Sequence, residues 1–287
     1  MGRLIEKTIG GINISGFSLA GEETVVAAPE YNVCFDVGRA PREIISIDSV
    51  CLSHGHMDHA AGIAYYLSQR CFIGAAPGRV IVPRLLVDPL HRLMDVWASI
   101  EGHYSPADIV GVVSLQDVEI RRNLVVRPFA VNHGGDALGF TLIEIRHKLK
   151  EEFHGKTGPQ LVELKQKGVT IEDRVEMPLL TYTGDTAVGR FLEHDFVRDS
   201  KVVVVECTFF EQDHDIRARA GRHIHVDDFP KVLAAIPNAQ IVIMHLTRRT
   251  DLRFAKTVLA DKVRGDDLNR ITFLMERPPR SGSRRNR

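Results

Sequence analysis

The 287-residue chain has few cysteines, no excess charge and no long apolar run, and each shortage excludes a class of protein. Its four cysteines, Cys34, Cys51, Cys71 and Cys207, are scattered with no Cys-x-x-Cys pair, which excludes a disulfide framework. Three of them fall in apolar, strand-like stretches. They read as buried free thiols in a reducing cytosol, so a cytoplasmic location is expected. No apolar run reaches the length of a membrane span, so no membrane association is expected. Met1 to Lys7 lacks the apolar centre of a secretory leader. Met1-Gly2 opens like a myristoylation signal, but Glu6 stands where Ser or Thr is required. The 37 basic residues balance the 37 acidic ones, so composition does not advertise a nucleic-acid binder. The last eleven residues, Arg277 to Arg287, hold five Arg and no acid. Without them 32 basic residues face 37 acidic ones, a body charge of −5. A polyanionic partner therefore needs positive charge gathered locally.

The chain is otherwise ordinary, with 44% hydrophobic and 26% charged residues. We expect one domain over residues 1–276 and a basic, disordered tail over 277–287. No internal repeat or long linker is visible. Residues 13–17, 23–28, 32–37 and 49–53 read as short strands broken by Gly and Pro. Residues 59–70 read as a helix burying Ile63, Tyr66 and Leu67. Val80 to Val82 is a strand. Asp88-Pro89 is expected to cap the next helix, where Leu90, Leu93, Met94, Trp97 and Ile100 form a core stripe. Strands return over 109–145, 179–183, 201–206 and 240–244, with a helix at about 226–235. This pattern alone supports only a mixture of α and β.

The densest chemistry is in Ser53-His54-Gly55-His56-Met57-Asp58-His59. Three imidazoles and a carboxylate on one short loop repel one another when the histidines are charged and are poorly solvated when they are neutral. A divalent cation resolves both problems. Four further stations follow: Asn132-His133-Gly134-Gly135, Thr183-Gly184-Asp185-Thr186, Gly221-Arg222-His223-Ile224-His225 and Met244-His245-Leu246-Thr247. The loop resembles the His-x-His-x-Asp-His signature of the metallo-β-lactamase superfamily. That resemblance implies an α+β fold, a four-layer αββα sandwich with metal loops at one edge of two sheets. It implies His54, His56 and His133 on a first metal, Asp58, His59 and His245 on a second, and Asp185 bridging them. Imidazole and carboxylate donors without thiolate suit Zn²⁺, two per chain, with Mn²⁺ as a possible substitute. Two such metals stabilise an in-line displacement at phosphorus.

The chain resembles ribonuclease Z, the tRNA 3′-processing branch of that superfamily, and its short, plant-like form most. The matching stretches span roughly residues 12 to 250. They include Pro29 to Arg39, Leu52 to Gly62, Thr183 to Thr186, Glu206-Cys207-Thr208-Phe209, Arg222 to Asp228 and His245 to Arg249. Glyoxalase II and the β-lactamases share the first histidine motif, but not the later Glu-x-Thr-Phe and His-x-His pair. The resemblance implies a zinc-dependent endoribonuclease that removes 3′ trailers from precursor tRNA. It also implies a homodimer in which one subunit holds the tRNA that the other cuts. The family has a catalytic histidine outside the metal shell. His223 and His225 both compete for that role, and the 22-residue spacing from His223 to His245 favours His223. Asp58 is expected to accept a proton.

Three departures bear on the substrate. The family's Gly- and Lys-rich arm should lie between His133 and Asp185. Here Arg146 to Arg174 carries seven basic and five acidic residues, which suggests an arm that is missing or shortened. The bacterial Pro-x-Lys-x-Arg-Asn loop is not recognisable around Val82-Pro83-Arg84. Arg222 replaces the usual Gly before the histidine pair, and Thr250 replaces the usual Tyr. Two alternatives remain open: a hydrolase of a small phosphodiester or thioester in the same fold, and a metal-bound RNA scaffold without catalysis.

Overall fold

The computed structural model describes residues 4–277, so the tail expected over 277–287 lies, beyond Arg277, outside the described residues. Among the described residues, fourteen strands form two seven-stranded sheets. The first holds β1 (Ile5–Ile9), β2 (Ile12–Leu19), β3 (Glu23–Ala28), β4 (Val33–Phe35), β5 (Ser49–Cys51), β6 (Gly78–Pro83) and β7 (Ala107–Val112). The second holds β8 (Val118–Arg121), β9 (Leu124–Ala130), β10 (Leu138–Leu149), β11 (Glu172–Tyr182), β12 (Val202–Glu206), β13 (Gln240–Met244) and β14 (Ile271–Phe273). Within each sheet, neighbours in sequence are neighbours in space. The first four strands of each sheet run antiparallel, and the last three add in parallel. The sequence has no repeat, yet the same strand plan occurs twice.

Strand alternation divides the core into three layers. In β12, Val202 and Val204 face the other sheet, while Val203 and Val205 face helices. The first sheet repeats this in β3, with Val26 and Ala28 turned inward and Val25 and Ala27 outward. Phe35, Cys51, Phe140, Tyr182 and Met244 fill the space between the sheets. The Ile63–Phe72 and Val87–Glu101 helices cover the first sheet, burying Ile63, Tyr66, Leu67, Leu90 and Met94. The Phe229–Ala235 and Leu252–Lys262 helices cover the second, burying Val232, Leu233, Ala255 and Leu259. The result is the four-layer αββα sandwich of the α+β class. The parallel strands are covered on both faces, which explains why they read as continuous apolar runs.

Two expectations need correction. In the Val87–Glu101 helix Leu90 and Met94 are buried, but Leu93, Trp97 and Ile100 are 38%, 42% and 66% exposed. That stripe is wider than the sheet it covers. Asp88 and Pro89 lie inside this helix rather than at its cap, because a short 3₁₀ turn, Arg84–Leu86, leads directly into it.

The segment Arg146 to Arg174 is regular. β10 and β11 pair out to Leu149 and Glu172, whereas β9 stops pairing at Glu144 and β12 begins only at Leu180. The outer rungs form a two-stranded hairpin with no third strand. Its tip carries the Gly158–Gln166 helix, opened by a Thr157–Gln160 capping box.

Candidate metal centre

The parallel strands end at one edge, and the polar loops that follow them converge there. β5 delivers the His54 loop, β9 leads to His133, β11 to Asp185 and β13 to His245. Two donor groups result, His54, His56, His133 and Asp185 in one, and Asp58, His59 and His245 in the other. Asp185 lies between them. Its Oδ2 is 3.3 Å from His59 Nε2, 3.8 Å from His54 Nε2 and 3.9 Å from His133 Nε2, and its Oδ1 is 3.3 Å from His245 Nε2. Asp58 Oδ2 is 3.6 Å from His59 Nε2 and 3.4 Å from His245 Nε2. All seven expected ligands are thus brought together.

Backbone and neighbouring side chains fix which ring nitrogen faces the cluster. His54 Nδ1 bonds Ser53 Oγ at 2.9 Å, and His59 Nδ1 donates to Asp36 Oδ2 at 2.6 Å. His133 Nδ1 donates to the Arg222 carbonyl at 3.3 Å, and His245 Nδ1 bonds Thr208 Oγ1 at 3.0 Å. Four Nε2 lone pairs therefore point inward. His54 Nε2 and Asp185 Oδ1 are buried with no hydrogen-bond partner. Unpartnered buried acceptors are costly, and here they face an all-acceptor cluster that a divalent cation satisfies. The donor set fits such an ion.

Electrostatics agree. Burial, with His59 and His133 beside it, pushes the His54 imidazole down to about 2, and burial also lowers His133. Both stay neutral and able to ligate. Burial opposes charge on His59, yet the Asp185 and Asp36 carboxylates hold it well above the usual range. Burial likewise opposes ionised Asp185, and the surrounding histidines outweigh it and hold the carboxyl well down. The carboxylates around His59 thus set up a negative field that a cation would answer.

The two remaining candidate histidines separate geometrically. His223 belongs to the cluster, its ligand atom grouped with those of Asp185 and His245. Its ring lies over His245 at 5.4 Å and beside His133 at 5.0 Å. His223 Nδ1 donates to Glu206 Oε1 at 2.7 Å, so Nε2 is its free nitrogen. Burial lowers its pKa, but the Glu206 charge and hydrogen bond raise it more, and it ends above 6.5. His225 is buried elsewhere. Its Nε2 donates to the Glu211 carbonyl at 3.0 Å and its Nδ1 accepts from the Asp227 amide at 3.2 Å.

Two buried acids organise this centre without touching it as ligands. Asp36 accepts from the Ser53 amide and hydroxyl, His59 and the Tyr182 hydroxyl. Glu206 accepts from the Thr186 amide, His223, the Thr208 hydroxyl and the Ile224 amide. Neither stood out as a functional residue in the sequence. The signal was there: each acid ends an apolar run, Val33-Cys34-Phe35 or Val202-Val203-Val204-Val205. An acid can be buried there only if it is fully bonded.

A family model for the beta-lactamase superfamily domain matches residues 26–246. The tRNase Z TRZ1 of Arabidopsis thaliana is 31% identical, over 84% of this chain and 87% of its own length. The chain belongs to the ribonuclease Z family of the beta-lactamase superfamily. A nuclear ribonuclease Z of Triticum aestivum is also 31% identical, over 58% of this chain and 95% of that one. Among solved structures, the human short-form tRNase Z superposes with a TM-score of 0.51 at 16% identity, over 83% of this chain and 87% of that one. The metallo-β-lactamase fold protein YhfI of Bacillus subtilis gives 0.55 at 13% identity, over 87% and 85%. These two likenesses support the fold. Family membership makes the chain a metal-dependent hydrolase of phosphodiester bonds.

Proposed function

We propose that this chain is a zinc-dependent endoribonuclease that removes 3′ trailers from precursor tRNA. One observation carries the reading: Asp185 lies between two donor groups, within 4 Å of histidines of both, and a histidine bonded to a buried glutamate stands beside them. His54, His56 and His133 would hold one metal, and Asp58, His59 and His245 a second, with Asp185 common to both. Bound divalent cations supply Lewis acidity toward the scissile phosphate and acidify water. Zn²⁺ suits these donors, and Mn²⁺ is the expected substitute.

The chain's own residues do the rest. Asp58, held by the Gly21 amide at 2.8 Å, keeps an ionised carboxylate facing the cluster and accepts the nucleophile's proton. His223, oriented by Glu206, protonates the departing 3′-oxygen of the tRNA through Nε2. His225 has both nitrogens engaged, and we assign it to holding the loop that carries His223.

The hairpin formed by the outer rungs of β10 and β11 supplies a surface for the tRNA. Lys148, Lys150 and Lys156 on it have no carboxylate within ion-pair distance among the described residues. A homodimer is supported by the exposed apolar residues Leu93, Trp97 and Ile100 on one helix, with Tyr65 lining the same cleft as Trp97. Free thiols, three of them buried, fit the cytoplasm. No helix among the described residues is long and apolar enough to cross a membrane.

Precursor tRNA and bis(p-nitrophenyl) phosphate, each with and without chelator, test the reading. The expected products are tRNA with a 3′-hydroxyl and a trailer with a 5′-phosphate, both lost on chelation. An intact precursor alongside hydrolysis of a small phosphodiester or thioester would transfer the activity to small molecules.

A further inference from the structure

Arg222 occupies the position where the family pattern has glycine, and the backbone shows why glycine is usual. It ends the Asp215–Gly221 helix in the left-handed region, at φ 55° and ψ 52°. Arginine there is strained relative to glycine. The neighbouring Gly221 has no latitude either, because a Cβ on it would meet the His223 ring at 2.8 Å. The chain therefore keeps a strained arginine between a glycine that must stay small and the histidine beside the metal centre.

The arginine makes two bonds to one residue, His133. Its carbonyl accepts from His133 Nδ1, and its guanidinium donates to the His133 carbonyl. His133 lies between β9 and β10. Asn132 before it is held by Thr186 and Ala187, while Gly134 and Gly135 follow it, the second at φ 53°, so Arg222 adds the bonds made by His133 itself. No carboxylate lies within 4.0 Å of the Arg222 guanidinium among the described residues. The side chain is thus committed to a neutral carbonyl rather than to an ion pair.

We propose that Arg222 is a positioning residue for the first metal site: its side chain and its carbonyl clamp the His133 segment, so that His133 Nε2 faces His54, His56 and Asp185. The side-chain half of the clamp adds a constraint that a glycine could not provide, while the carbonyl half would remain. This rests on the metal reading above and goes beyond it, since it assigns a role to a residue outside the donor set.

The experiment uses chelator-stripped full-length protein titrated with Zn²⁺ against a chromogenic competitor, and with Co²⁺ read by its absorption spectrum. R222G relieves the strained φ, so the stripped variant should melt no lower than wild type. It should nonetheless lose roughly ten- to a hundredfold in affinity at one site and keep the other, as expected for loss of an outer-shell partner. H133A should weaken the same site, and the double variant R222G/H133A should lose nothing further. R222K, which keeps the left-handed strain without the planar fork, should melt like wild type and bind that site weakly. Unchanged Zn²⁺ affinity in R222G, equal losses at both sites, or a fall in melting temperature that tracks the affinity loss would each overturn the clamp. A wild-type protein that takes up no stoichiometric metal would instead overturn the metal reading.

Discussion

At the scale of single residues, Glu206 sets the working range of His223 in the proposed reaction. A proton donor acts only while protonated, and the Glu206 charge raises the His223 pKa above its ordinary value despite burial. Activity should therefore fall as pH rises through that raised pKa. Removing the charge in Glu206→Gln lowers the pKa, so the alkaline limb of the kcat/KM profile should move to lower pH. A limb that stays in place would separate His223 from proton donation. The two histidines should also divide cleanly. His223→Ala should keep both metals and lose about 10²–10⁴ in turnover. His225→Ala breaks two partly buried hydrogen bonds and should cost about 1–3 kcal/mol of stability while retaining most of the chemistry. Metal content, melting and turnover measured on both variants decide this. The clustering of the seven candidate donors was legible in the sequence because each lies in a polar segment that follows a strand. The His223 and His225 choice was less legible, since spacing cannot show which ring nitrogens are already satisfied. That required the Glu211 carbonyl and the Glu206 carboxylate, which come from other segments.

At the scale of elements, the hairpin beyond β9 is the part least readable from sequence. Its charge is nearly balanced, and two of its lysines are consumed locally, Lys165 by Glu172 and Lys167 by Glu163. Composition therefore understates what Lys148, Lys150 and Lys156 leave free. Replacing residues 150–171 with a short Gly-containing turn should spare hydrolysis of bis(p-nitrophenyl) phosphate. Binding of precursor tRNA should weaken, and the dependence of log Kd on log salt should become shallower by about 0.9 for each phosphate that is no longer neutralised. An unchanged salt slope would place the RNA elsewhere. The Val87–Glu101 helix taught the opposite lesson. Its apolar spacing was read correctly, but periodicity cannot distinguish a stripe facing a sheet from one continuing onto open surface. Trp97→Glu combined with Ile100→Glu should therefore convert a dimer to monomers in sedimentation, with small-substrate hydrolysis retained. A wild-type protein that sediments as a monomer removes the dimer from the proposal.

At the scale of the whole molecule, the donors come from both sheets. His54, His56, Asp58 and His59 belong to the first, and His133, Asp185 and His245 to the second. A metal held among them ties the sheets together, and binding the folded state alone stabilises it by about 4 kcal/mol at a thousandfold excess over Kd. Stripping with chelator should thus lower the melting temperature on the order of 10 °C for a domain of this size. Asp185→Ala, which removes the shared donor, should bind fewer than two metals and show a smaller shift on stripping. An equal shift in both proteins would remove Asp185 from the shared position.

The loop between β7 and β8, with Val113 and Leu115 exposed, divides the chain into two stretches, each holding one complete sheet of the same strand plan. The boundary between sheets coincides with a boundary in the sequence, so no strand crosses it. Expressed as residues 1–114 and 115–287, each would retain the strand pairing of its own sheet, and would lose the inner face between Phe35 and Phe140 together with the backbone bonds of Leu138 to Ser53 and of Ala20 to Leu246. Neither piece holds all seven donors. Mixed together, they should reassemble a working enzyme whose yield rises with added Zn²⁺, making the metal the assembly signal for a split protein.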